Sequence, residues 1–334
     1  MTSAVVVLIK VYGRLKEIEL VTENDFQDVV HALALSPGFA EDGVAFAACA
    51  SGLYKSHDGG QTWASAYGSL DLSALLATPA VAISPAFATD RTVFAGVSGA
   101  ILRSQDGGES WQVSSLPTPA PLVSCLAISP NYADDQVLLA GTIEDGIFRS
   151  ADRGAHWMLW NFGLYDLHIL ALALSPNFEE DDTVFAGVES GVFRSTTGGR
   201  SWRELPFPGD LAPVLSLAVS HAYQFDGVVF AGTESNGLHK STDRSQTWAR
   251  VGAEVITGSV NQILLGSHYP AISHLLVLTS EGLFFSQDAG ATWAPWPLDL
   301  PEGMEAAAIA APDEFHPGAP LLIGTAEGRV IRMN

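Results

Sequence analysis

The chain has 334 residues, of which 16 are Lys or Arg and 37 are Asp or Glu, so its formal net charge is −21. Such a polyanion repels phosphate groups, which excludes nucleic-acid binding by direct charge attraction and disfavours anionic membrane surfaces. Apolar residues make up 47% of the chain and charged residues only 16%, a composition that provides for a large core and argues against disorder. The 32 glycines and 18 prolines favour strands and turns over helices.

The first thirty residues alternate between apolar and polar side chains as strands do. Residues 5–11 and 15–21 flank Gly13 and Arg14, a pair that suits a tight turn. No basic residue precedes the apolar run at 4–9, as a secretory signal requires, and no run approaches the ~20 apolar residues of a membrane span. We therefore expect a cytoplasmic protein without membrane insertion.

An internal repeat of about 46 residues fills the rest of the chain. Six tryptophans are separated by 48, 46, 45, 46 and 45 residues, and each ends an octapeptide such as Ser-His-Asp-Gly-Gly-Gln-Thr-Trp at 56–63. About twenty residues before each octapeptide stands a second motif, of the form Ala-Leu-Ser-Pro-x-Phe followed by acids, as at 173–181. The second motif recurs seven times, with His221 in place of proline in the fifth copy and weaker copies near Ser267 and Pro312.

Each repeat predicts four short strands. In the fourth unit, the apolar run 172–174 suits an innermost strand that is covered on both sides. A turn opened by Ser-Pro leads to a second strand at 183–187, a glycine turn leads to a third at 191–195, and the octapeptide forms the hairpin to a fourth that begins at Trp202. Four-stranded units of this period are typical of β-propellers. We therefore predict an all-β fold, a single seven-bladed β-propeller of four-stranded antiparallel blades.

We expect residues 1–334 to form one ring. Residues 31–300 contain the six octapeptide repeats, and residues 301–334 align with the first three strands of a seventh unit. Residues 1–30 are predicted to supply the closing strands of that last blade, because closure by an N-terminal strand removes an exposed sheet edge. Two independent domains would need a linker, and no linker composition is visible.

The octapeptide resembles the Asp-box, or BNR repeat, of sialidases, other glycoside hydrolases, sortilin-like receptors and photosystem II assembly factors. The resemblance covers nearly the whole chain and implies a peripheral scaffold turn, away from any catalytic centre. Its aspartate can accept backbone N–H groups within the turn, and its second glycine suits a positive φ. Its tryptophan suits packing between blades, with the indole N–H donated to an acceptor. The residues predicted to be structural are Asp58, Trp63, Asp106, Trp111, Asp152, Trp157, Trp202, Asp243, Trp248, Asp288 and Trp293. Three boxes depart from the pattern, with Thr197 for aspartate, Ser245 for glycine and His156 for threonine.

A basic residue precedes the box serine, or its equivalent, in six of the seven units. These residues are Lys55, Arg103, Arg149, Arg194, Lys240 and Arg332, and Phe285 is the exception. These residues could form a ring of cations that binds an acidic ligand, or they could have a structural role. Because a ligand site normally breaks the symmetry of a repeat, we favour the structural role, in which the stem packs between blades and the head pairs with a neighbouring aspartate.

The sequence predicts no catalytic residue, no metal and no cofactor. Sialidase chemistry, which the resemblance would imply, needs a clamp of three arginines and a Tyr–Glu pair, and the Arg-Ile-Pro tripeptide of that family is absent. Xyloglucanase-like members act in a cleft between two propellers, and this chain supplies one. The nine histidines and the two cysteines, Cys49 and Cys125, show no metal-ligand spacing. We expect a protein without enzymatic activity, glycoside hydrolysis being the one class worth testing.

Loops between the fourth strand of one blade and the first strand of the next combine aromatic and acidic residues. They are predicted to emerge on the same side of the ring as the turns between second and third strands. Aromatic side chains supply interface energy and charges supply selectivity, so this side predicts a recognition surface. The predicted binding residues are Tyr67, Asp71, Trp160, Tyr165, Asp166, Phe207, Asp210 and Asp299. The alternative is that Trp160 and Phe207 pack beneath their own loops while the acids only solubilise.

Three functions remain open at this point. The first is a non-catalytic scaffold that binds a protein partner, through a basic or mixed segment, on the acidic and aromatic side. The second, suggested by the resemblance, is a glycan-binding or glycoside hydrolase-like protein. The third is an assembly-factor role like that of the photosystem II proteins, in which a propeller docks on a nascent polypeptide.

Overall fold

The computed structural model places seven antiparallel sheets in a ring, which confirms the predicted β-propeller. It describes residues 5–11, 14–20, 28–117, 119–208, 213–312, 315–316 and 319–333. Within those residues six blades have four strands and the seventh has three, and each sheet follows chain order from its first strand outward.

The strands and short helices have the following bounds. The N-terminal strands are β1 (Val5–Val11) and β2 (Arg14–Leu20). Blade one has β3 (Val30–Leu35), α1 (Phe39–Asp42), β4 (Ala45–Cys49), β5 (Gly52–Ser56) and β6 (Ala64–Ser65). Blade two has β7 (Ala80–Ile83), α2 (Phe87–Asp90), β8 (Val93–Val97), β9 (Ala100–Ser104) and β10 (Gln112–Ser115). Blade three has β11 (Leu122–Ile128), α3 (Tyr132–Asp135), β12 (Leu138–Ile143), β13 (Gly146–Ser150) and β14 (Met158–Leu159).

The remaining blades repeat this order. Blade four has β15 (Ile169–Leu174), α4 (Phe178–Asp181), β16 (Val184–Val188), β17 (Gly191–Ser195) and β18 (Arg203–Glu204). Blade five has β19 (Val214–Val219), α5 (Tyr223–Asp226), β20 (Val229–Thr233), β21 (Leu238–Ser241) and β22 (Ala249–Val251). Blade six has β23 (Val260–Leu265), β24 (Leu275–Thr279), β25 (Gly282–Ser286) and β26 (Ala294–Trp296). Blade seven has β27 (Ala306–Ala310), β28 (Leu321–Thr325) and β29 (Val330–Met333).

The Ser-Pro motif, which predicts a turn, forms one turn of helix. In blade one, Ser36 Oγ donates to Asp42 Oδ1 at 2.6 Å, and the same carboxylate accepts the N–H of Val44 at 2.8 Å. Gly43 then ends α1 in the left-handed region with a φ of 61°. The motif therefore satisfies its own polar groups and turns the chain directly into the second strand. In the part of the chain that is described, no helix is long and apolar enough to cross a membrane.

The core lies between the blades. The first strands of successive blades contact one another around the whole ring, β27 with β3 included, which places them at the centre. The second strands are fully buried, as β8 and β16 show. Leu139 and Ile147 of blade three pack with Ala186 and Phe193 of blade four in one cluster. Each sheet thus hides its apolar faces only against its neighbours, as repeat architectures require.

The two ends of the ring carry different connections. At one end, which we call the loop face, the turns between second and third strands meet the loops that enter the next blade. Gly146 N–H donates to Leu167 O at 3.1 Å there, and Ser190 N–H donates to Asp166 Oδ2 at 2.7 Å. At the other end, the box face, the octapeptide turns meet the helical turns, as Gly59 N–H does with Gly43 O at 3.0 Å. The loops predicted to share one side therefore do so.

The N-terminal strands β1 and β2 pair with each other in a two-stranded sheet, from Val5 opposite Leu20 to Val11 opposite Arg14. Blade seven is joined to blade one by the contact of β27 with β3. No sheet pairing among the described residues joins the hairpin to blade seven, and residues 21–27, which lead to β3, lie outside them. Completion of the last blade by residues 1–30 therefore stays a prediction, as do the boundaries at 31–300 and 301–334.

Candidate functional site

The box turns are held by their aspartates. Asp58 Oδ1 accepts the N–H groups of Gln61 and Thr62, both at 2.9 Å, and Oδ2 accepts the Thr62 hydroxyl at 2.6 Å. The Thr62 hydroxyl and backbone N–H hold the pKa of Asp58 well below its usual range. Asp106, Asp152, Asp243 and Asp288 likewise accept the N–H of the residue four positions on. These carboxylates are therefore engaged in shaping turns on the box face.

The three departures from the box have visible consequences. Thr197 Oγ1 accepts the N–H of Ser201 at 3.0 Å, so a hydroxyl replaces part of the aspartate. His156 Nδ1 lies 2.6 Å from Asp152 Oδ2, where other boxes have a hydroxyl. Ser245 has a φ of 66°, and its buried hydroxyl has no hydrogen-bond partner in the described structure. His156 therefore keeps the hydrogen bond of the box, whereas Ser245 costs the fold a buried hydrogen bond and backbone strain.

The box tryptophans donate in two ways. Trp63, Trp157 and Trp293 donate the indole N–H to the carbonyl three residues earlier, at 3.1, 3.2 and 3.0 Å. Trp111 and Trp202 donate instead to the preceding blade, to Ala66 O at 2.8 Å and Trp160 O at 3.0 Å. Trp248 Nε1 is buried without an acceptor among the described residues.

The basic residues before the box serines bind the box turn of the following blade. Arg149 Nε donates to Gly198 O at 2.7 Å, Lys240 Nζ to Ala289 O at 2.9 Å, and Arg332 NH1 to Gly59 O at 3.2 Å. Arg103 and Arg194 do the same at 2.8 and 2.9 Å. Lys55 pairs instead with a carboxylate, Glu109 Oε1 at 2.7 Å. Among the described contacts, the expected aspartate partners are not found: five of these heads hold adjacent blades together through backbone carbonyls, and Lys55 does so through a glutamate.

Two of the predicted binding residues are buried. Tyr67 is 5% exposed, its hydroxyl lies 2.9 Å from Thr78 Oγ1, and its ring packs edge-on against Trp111. Phe207 is 8% exposed and packs against Trp248 with ring centroids 5.2 Å apart. Placing them on the recognition surface was wrong, because each has a neighbouring aromatic ring to pack against beneath its loop.

The other predicted residues are scattered. Asp71 and Asp299 are exposed in different loops, and Asp210 lies outside the described residues. Trp160 is half-buried, and its carbonyl holds the Trp202 indole. Only Tyr165 and Asp166 come together, at the boundary between blades three and four.

A cleft of about 470 Å³ lies at that boundary on the loop face. It is lined by Glu144, Tyr165, Asp166, Leu167, His168, Glu189 and Ser190. Asp166 accepts the backbone N–H of Ser190 at 2.7 Å and that of His168 at 3.1 Å, so it orders the cleft wall. His168 Nδ1 lies 3.8 Å from Glu189 Oε2. The cleft is therefore acidic, with Glu144 and Glu189 on the turns that flank it.

Tyr165 connects the cleft to the outer surface. Its ring packs edge-on against Phe193 with centroids 5.0 Å apart, and its hydroxyl donates to the Glu204 carboxylate. That hydrogen bond raises the pKa of Tyr165. Despite these contacts, 67% of the side chain is exposed, and Phe162, three residues earlier, is 80% exposed.

Met158 and Leu159, at 62% and 52% exposed, were missed by the sequence reasoning. The signal was present in the repeat: these two residues directly follow the box tryptophan. The same positions in other blades carry Ala64–Ser65, Gln112 and Val113, Arg203–Glu204, Ala249 and Arg250, and Ala294 and Pro295. Only blade three has two large apolar residues there.

The histidines and cysteines offer no further site. In the described part of the chain, no three His, Cys, Asp or Glu side chains are placed to hold a metal ion. Burial raises the pKa of Cys49 to about 12 and that of Cys125 to about 11, and neither is in a disulfide.

Comparison with solved structures finds the same fold. The extracellular domain of BT4673 from B. thetaiotaomicron is 16% identical, with a TM-score of 0.67 over 92% of this chain. An ancestral GH74 enzyme is 16% identical, with a TM-score of 0.70 over 93%. The present chain spans only 38% and 45% of the length of those two chains. YCF48 from Cyanidioschyzon merolae is 16% identical, with a TM-score of 0.63 over 93% of this chain and 97% of its own.

A structure of YCF48 bound to D1 peptide has the same TM-score of 0.63, over 92% of each chain. At 16% identity these likenesses show the fold alone, and they confirm the propeller that the Asp-box resemblance implies. No protein-family profile matches the sequence, and no curated protein does. One of these relatives in structure is an extracellular domain, so the cytoplasmic location inferred from the sequence stays a prediction.

Proposed function

We propose that this chain is a non-catalytic β-propeller scaffold that binds a protein partner on the loop face, at the boundary of blades three and four. The observation that carries the proposal is the exposure of Tyr165, which lines the acidic cleft, and of Phe162, three residues earlier in the same loop. Large aromatic side chains that stay exposed on an otherwise well-packed fold mark interaction sites. They also contribute a large share of the binding energy at protein interfaces.

The charge of the cleft supports a basic or mixed partner segment. Glu144 and Glu189 line it, and the whole chain carries a net charge of −21. Complementary charge speeds association and selects against acidic partners, and its effect weakens as salt screens it.

Two further observations support binding without catalysis. Asp166 is already committed to two backbone N–H groups, so it serves the wall of the cleft. The structure of YCF48 bound to D1 peptide is a propeller of the same fold that accepts a polypeptide. That likeness indicates that a propeller of this fold can bind a polypeptide. The partner of this chain must be inferred from its own side chains.

The test is capture of partners from cells that express the tagged protein, followed by binding measurements with the purified partner. We expect the double variant Phe162→Ala/Tyr165→Ala to lose about tenfold or more in affinity, as removal of aromatic anchors does. Wild-type affinity is expected to fall between about 50 mM and about 500 mM salt. Phe225→Ala is the matched control, because Phe225 is 85% exposed in α5 on the opposite, box face. A partner that binds the double variant as tightly as the wild type, or the absence of any partner, contradicts the proposal.

Glycan binding is the second candidate, favoured by the position of Tyr165 in a cleft with Glu144 and Glu189. An exposed aromatic ring beside carboxylates is also what sugar sites use, and the GH74 enzyme shares the fold. A screen of sialosides and of plant and bacterial glycans separates the two. Hydrolysis, or a thermal shift that disappears in Tyr165→Ala, would replace the protein-partner proposal.

A further inference from the structure

Blade three breaks the symmetry of the ring at its outer strand. In the other boxes the two residues after the tryptophan include small, polar or charged side chains, whereas β14 presents Met158 and Leu159. Outer strands of propellers are edges, which natural proteins protect by keeping them short and polar. β14 is short, but it is apolar and exposed. Met158 pairs with Arg149, whose head reaches blade four, whereas Leu159 pairs with Phe148, which packs against blade two, so the two side chains point to opposite sides of β14. We call Met158, Phe162 and Tyr165 the apolar edge.

The exposure of Phe162 is imposed by the backbone around it. Its carbonyl accepts the N–H of Trp202 at 2.8 Å, which ties the loop to blade four. Gly163 has a φ of 80°, and a Cβ there would lie 2.2 Å from Trp202 O. Asn161 receives the N–H of Ile147 at 2.9 Å and donates to Asp145 O at 2.9 Å, which ties the same loop to blade three. The loop is fixed at both ends, so Phe162 is held outward instead of collapsing onto the core.

The acids beside the apolar edge face it, while the nearby cations turn away. Glu204 pairs across β18 with Phe193, the residue that packs against Tyr165, so Glu204 lies on the blade-three side. Arg203 pairs with Arg194, whose head reaches Arg244 O in blade five, so Arg203 lies on the other side. Arg149 keeps its charge, but its head is bound to Gly198 O in the box turn of blade four. The acids beside Tyr165 are Glu204 and, in the adjoining cleft, Glu144 and Glu189.

One side of β14 is unpaired. Met158 and Leu159 pair with Arg149 and Phe148 of β13, and Trp160 N–H continues the pairing to Ile147 O at 2.9 Å. β14 is the last strand of its sheet in the described chain, so its outer side faces solvent. An extended polypeptide fits such an edge, with alternate side chains reaching either side of it.

We infer that the apolar edge docks an extended segment of a partner in which apolar residues adjoin Lys or Arg. This inference rests on the proposed function and names the chemistry of the partner. The apolar residues of the segment cover Met158, Phe162 and Tyr165, and its cations reach Glu204 and the acids of the adjoining cleft. Cover of the apolar edge supplies the affinity, and the one-sided charge excludes acidic segments.

The experiment uses the full chain and a displayed library of random peptides of about twelve residues, long enough to extend across the edge. Peptides are selected on the wild type and counter-selected on the variant Met158→Ser/Phe162→Ser/Tyr165→Ser. We expect wild-type-specific peptides rich in apolar residues next to Lys or Arg and poor in Asp and Glu. Synthetic copies should bind the triple variant about tenfold or more weakly, and Phe162→Ser alone should show most of that loss.

Two variants control the experiment. Phe225→Ser removes an equally exposed phenylalanine from the box face and should bind the peptides as the wild type does. Glu204→Gln should weaken binding and reduce its salt dependence while leaving the apolar contacts. Circular dichroism melts of all variants confirm that these surface changes leave the fold intact.

The two proposals fail separately. If no peptide prefers the wild type to the triple variant, or if the selected peptides are acidic, the inference is overturned. A cellular partner that still depends on Phe162 and Tyr165 would then preserve the proposed function. If the wild type binds neither peptides nor a cellular partner, both are overturned.

Discussion

Two motifs and two blades meet at the residue after the box aspartate, or after Thr197 in blade four, and Gly107 in blade two is the exception because Lys55 binds Glu109 instead. In blade five, Arg244 N–H donates to Gly227 O at 3.1 Å, which joins the box turn to the helical turn of the same blade. Arg244 O accepts the guanidinium of Arg194 from blade four at 2.9 Å. Gly59 repeats the pattern with Gly43 O and Arg332. The two sequence motifs recur together because they are hydrogen-bond partners.

That acceptor is invisible in the sequence because it is a backbone carbonyl. Gly59, Arg153, Gly198, Arg244 and Ala289 share the position and have no side-chain property in common. The basic residues are visible, so their repetition predicts a structural role, but their partner cannot be read from side chains. The same logic explains the exception, since Phe285 precedes a blade that carries no box. Phe285 packs instead against Trp296 and Phe315.

Asp243→Asn tests the electrostatic part of the box. Hydrogen bonds from the Thr247 side chain and backbone lower the pKa of Asp243 to about 2. A carboxyl group whose pKa is lower in the folded state contributes its full stabilisation of the fold when the pH is above its unfolded pKa of about 3.9. This stabilisation is lost as the pH falls through about 2. We expect Asp243→Asn to melt below the wild type at neutral pH and the gap to close between about pH 5 and about pH 2.

Thermal melts across that pH range measure the gap. Asp299→Asn is the control, since Asp299 is exposed on the loop face and lies outside the boxes. A difference between wild type and Asp243→Asn that does not change with pH would mean that the aspartate acts by shape alone.

At the scale of elements, local pattern predicts strands well and burial of loop residues poorly. The box hairpins and the four strands per repeat follow from turn chemistry and apolar runs within a few residues. Whether an aromatic loop residue is buried depends on which side chains of the next blade lie beside it. Phe207 finds Trp248 and His239 and is buried, whereas Tyr165 finds Phe193 on one side and stays exposed. Such neighbours are about thirty to forty residues away in sequence, so no local pattern distinguishes the two.

Contact between blades depends on a small residue in the second strand. A Cβ at Gly96 in β8 would lie 2.5 Å from Val123 Cγ1 at the start of blade three. Gly141 meets Ile169 in the same way, at 2.5 Å. Each glycine makes room for a branched side chain from the following blade. The glycine of a Val-Phe-Ala-Gly strand therefore allows the first strand of the next blade to pack closely against it.

Gly96→Ala therefore tests packing between blades. Overpacking of this kind costs about 1–3 kcal/mol, and Val123→Ala costs about 2 kcal/mol by leaving a cavity. In the double variant the smaller side chain makes room for the new methyl group, so its cost is expected to be about 1 kcal/mol or more below the sum of the single costs. Denaturant unfolding of the four proteins gives the coupling. Strictly additive costs would show that Gly96 does not serve to admit Val123.

At the scale of the whole molecule, the last blade meets the first through the same kinds of contact that join other neighbouring blades. A Cβ at Gly324 would lie 2.4 Å from Val30 Cγ1, which repeats the relation of Gly96 to Val123. Arg332 binds Gly59 O as Arg149 binds Gly198 O. Blades seven and one are therefore joined by the two devices that also join blades three and four, although blade seven has only three strands in the described residues. The junctions after blade one and after blade six differ, with Ala48 and Leu278 at the glycine position and with Lys55 on Glu109 and Phe285 at the cation position.

Among the described residues, no fourth strand pairs with the outer side of β29. Every other third strand pairs with a fourth, and an apolar sheet edge left open invites pairing with other chains. The N-terminal segment has two strands, each seven residues long, and precedes blade one, whose neighbour is blade seven. We expect residues 1–22 to occupy that position, so their deletion should remove the single cooperative unfolding transition and promote association.

Arg332→Met is the matched comparison, because it weakens the junction of blades seven and one while keeping the segment, and it should lower the melting temperature with one transition retained. Melting curves and light scattering distinguish the two, and a truncated protein that unfolds like the intact one would show that the contacts between blades close the ring without the N-terminal strands.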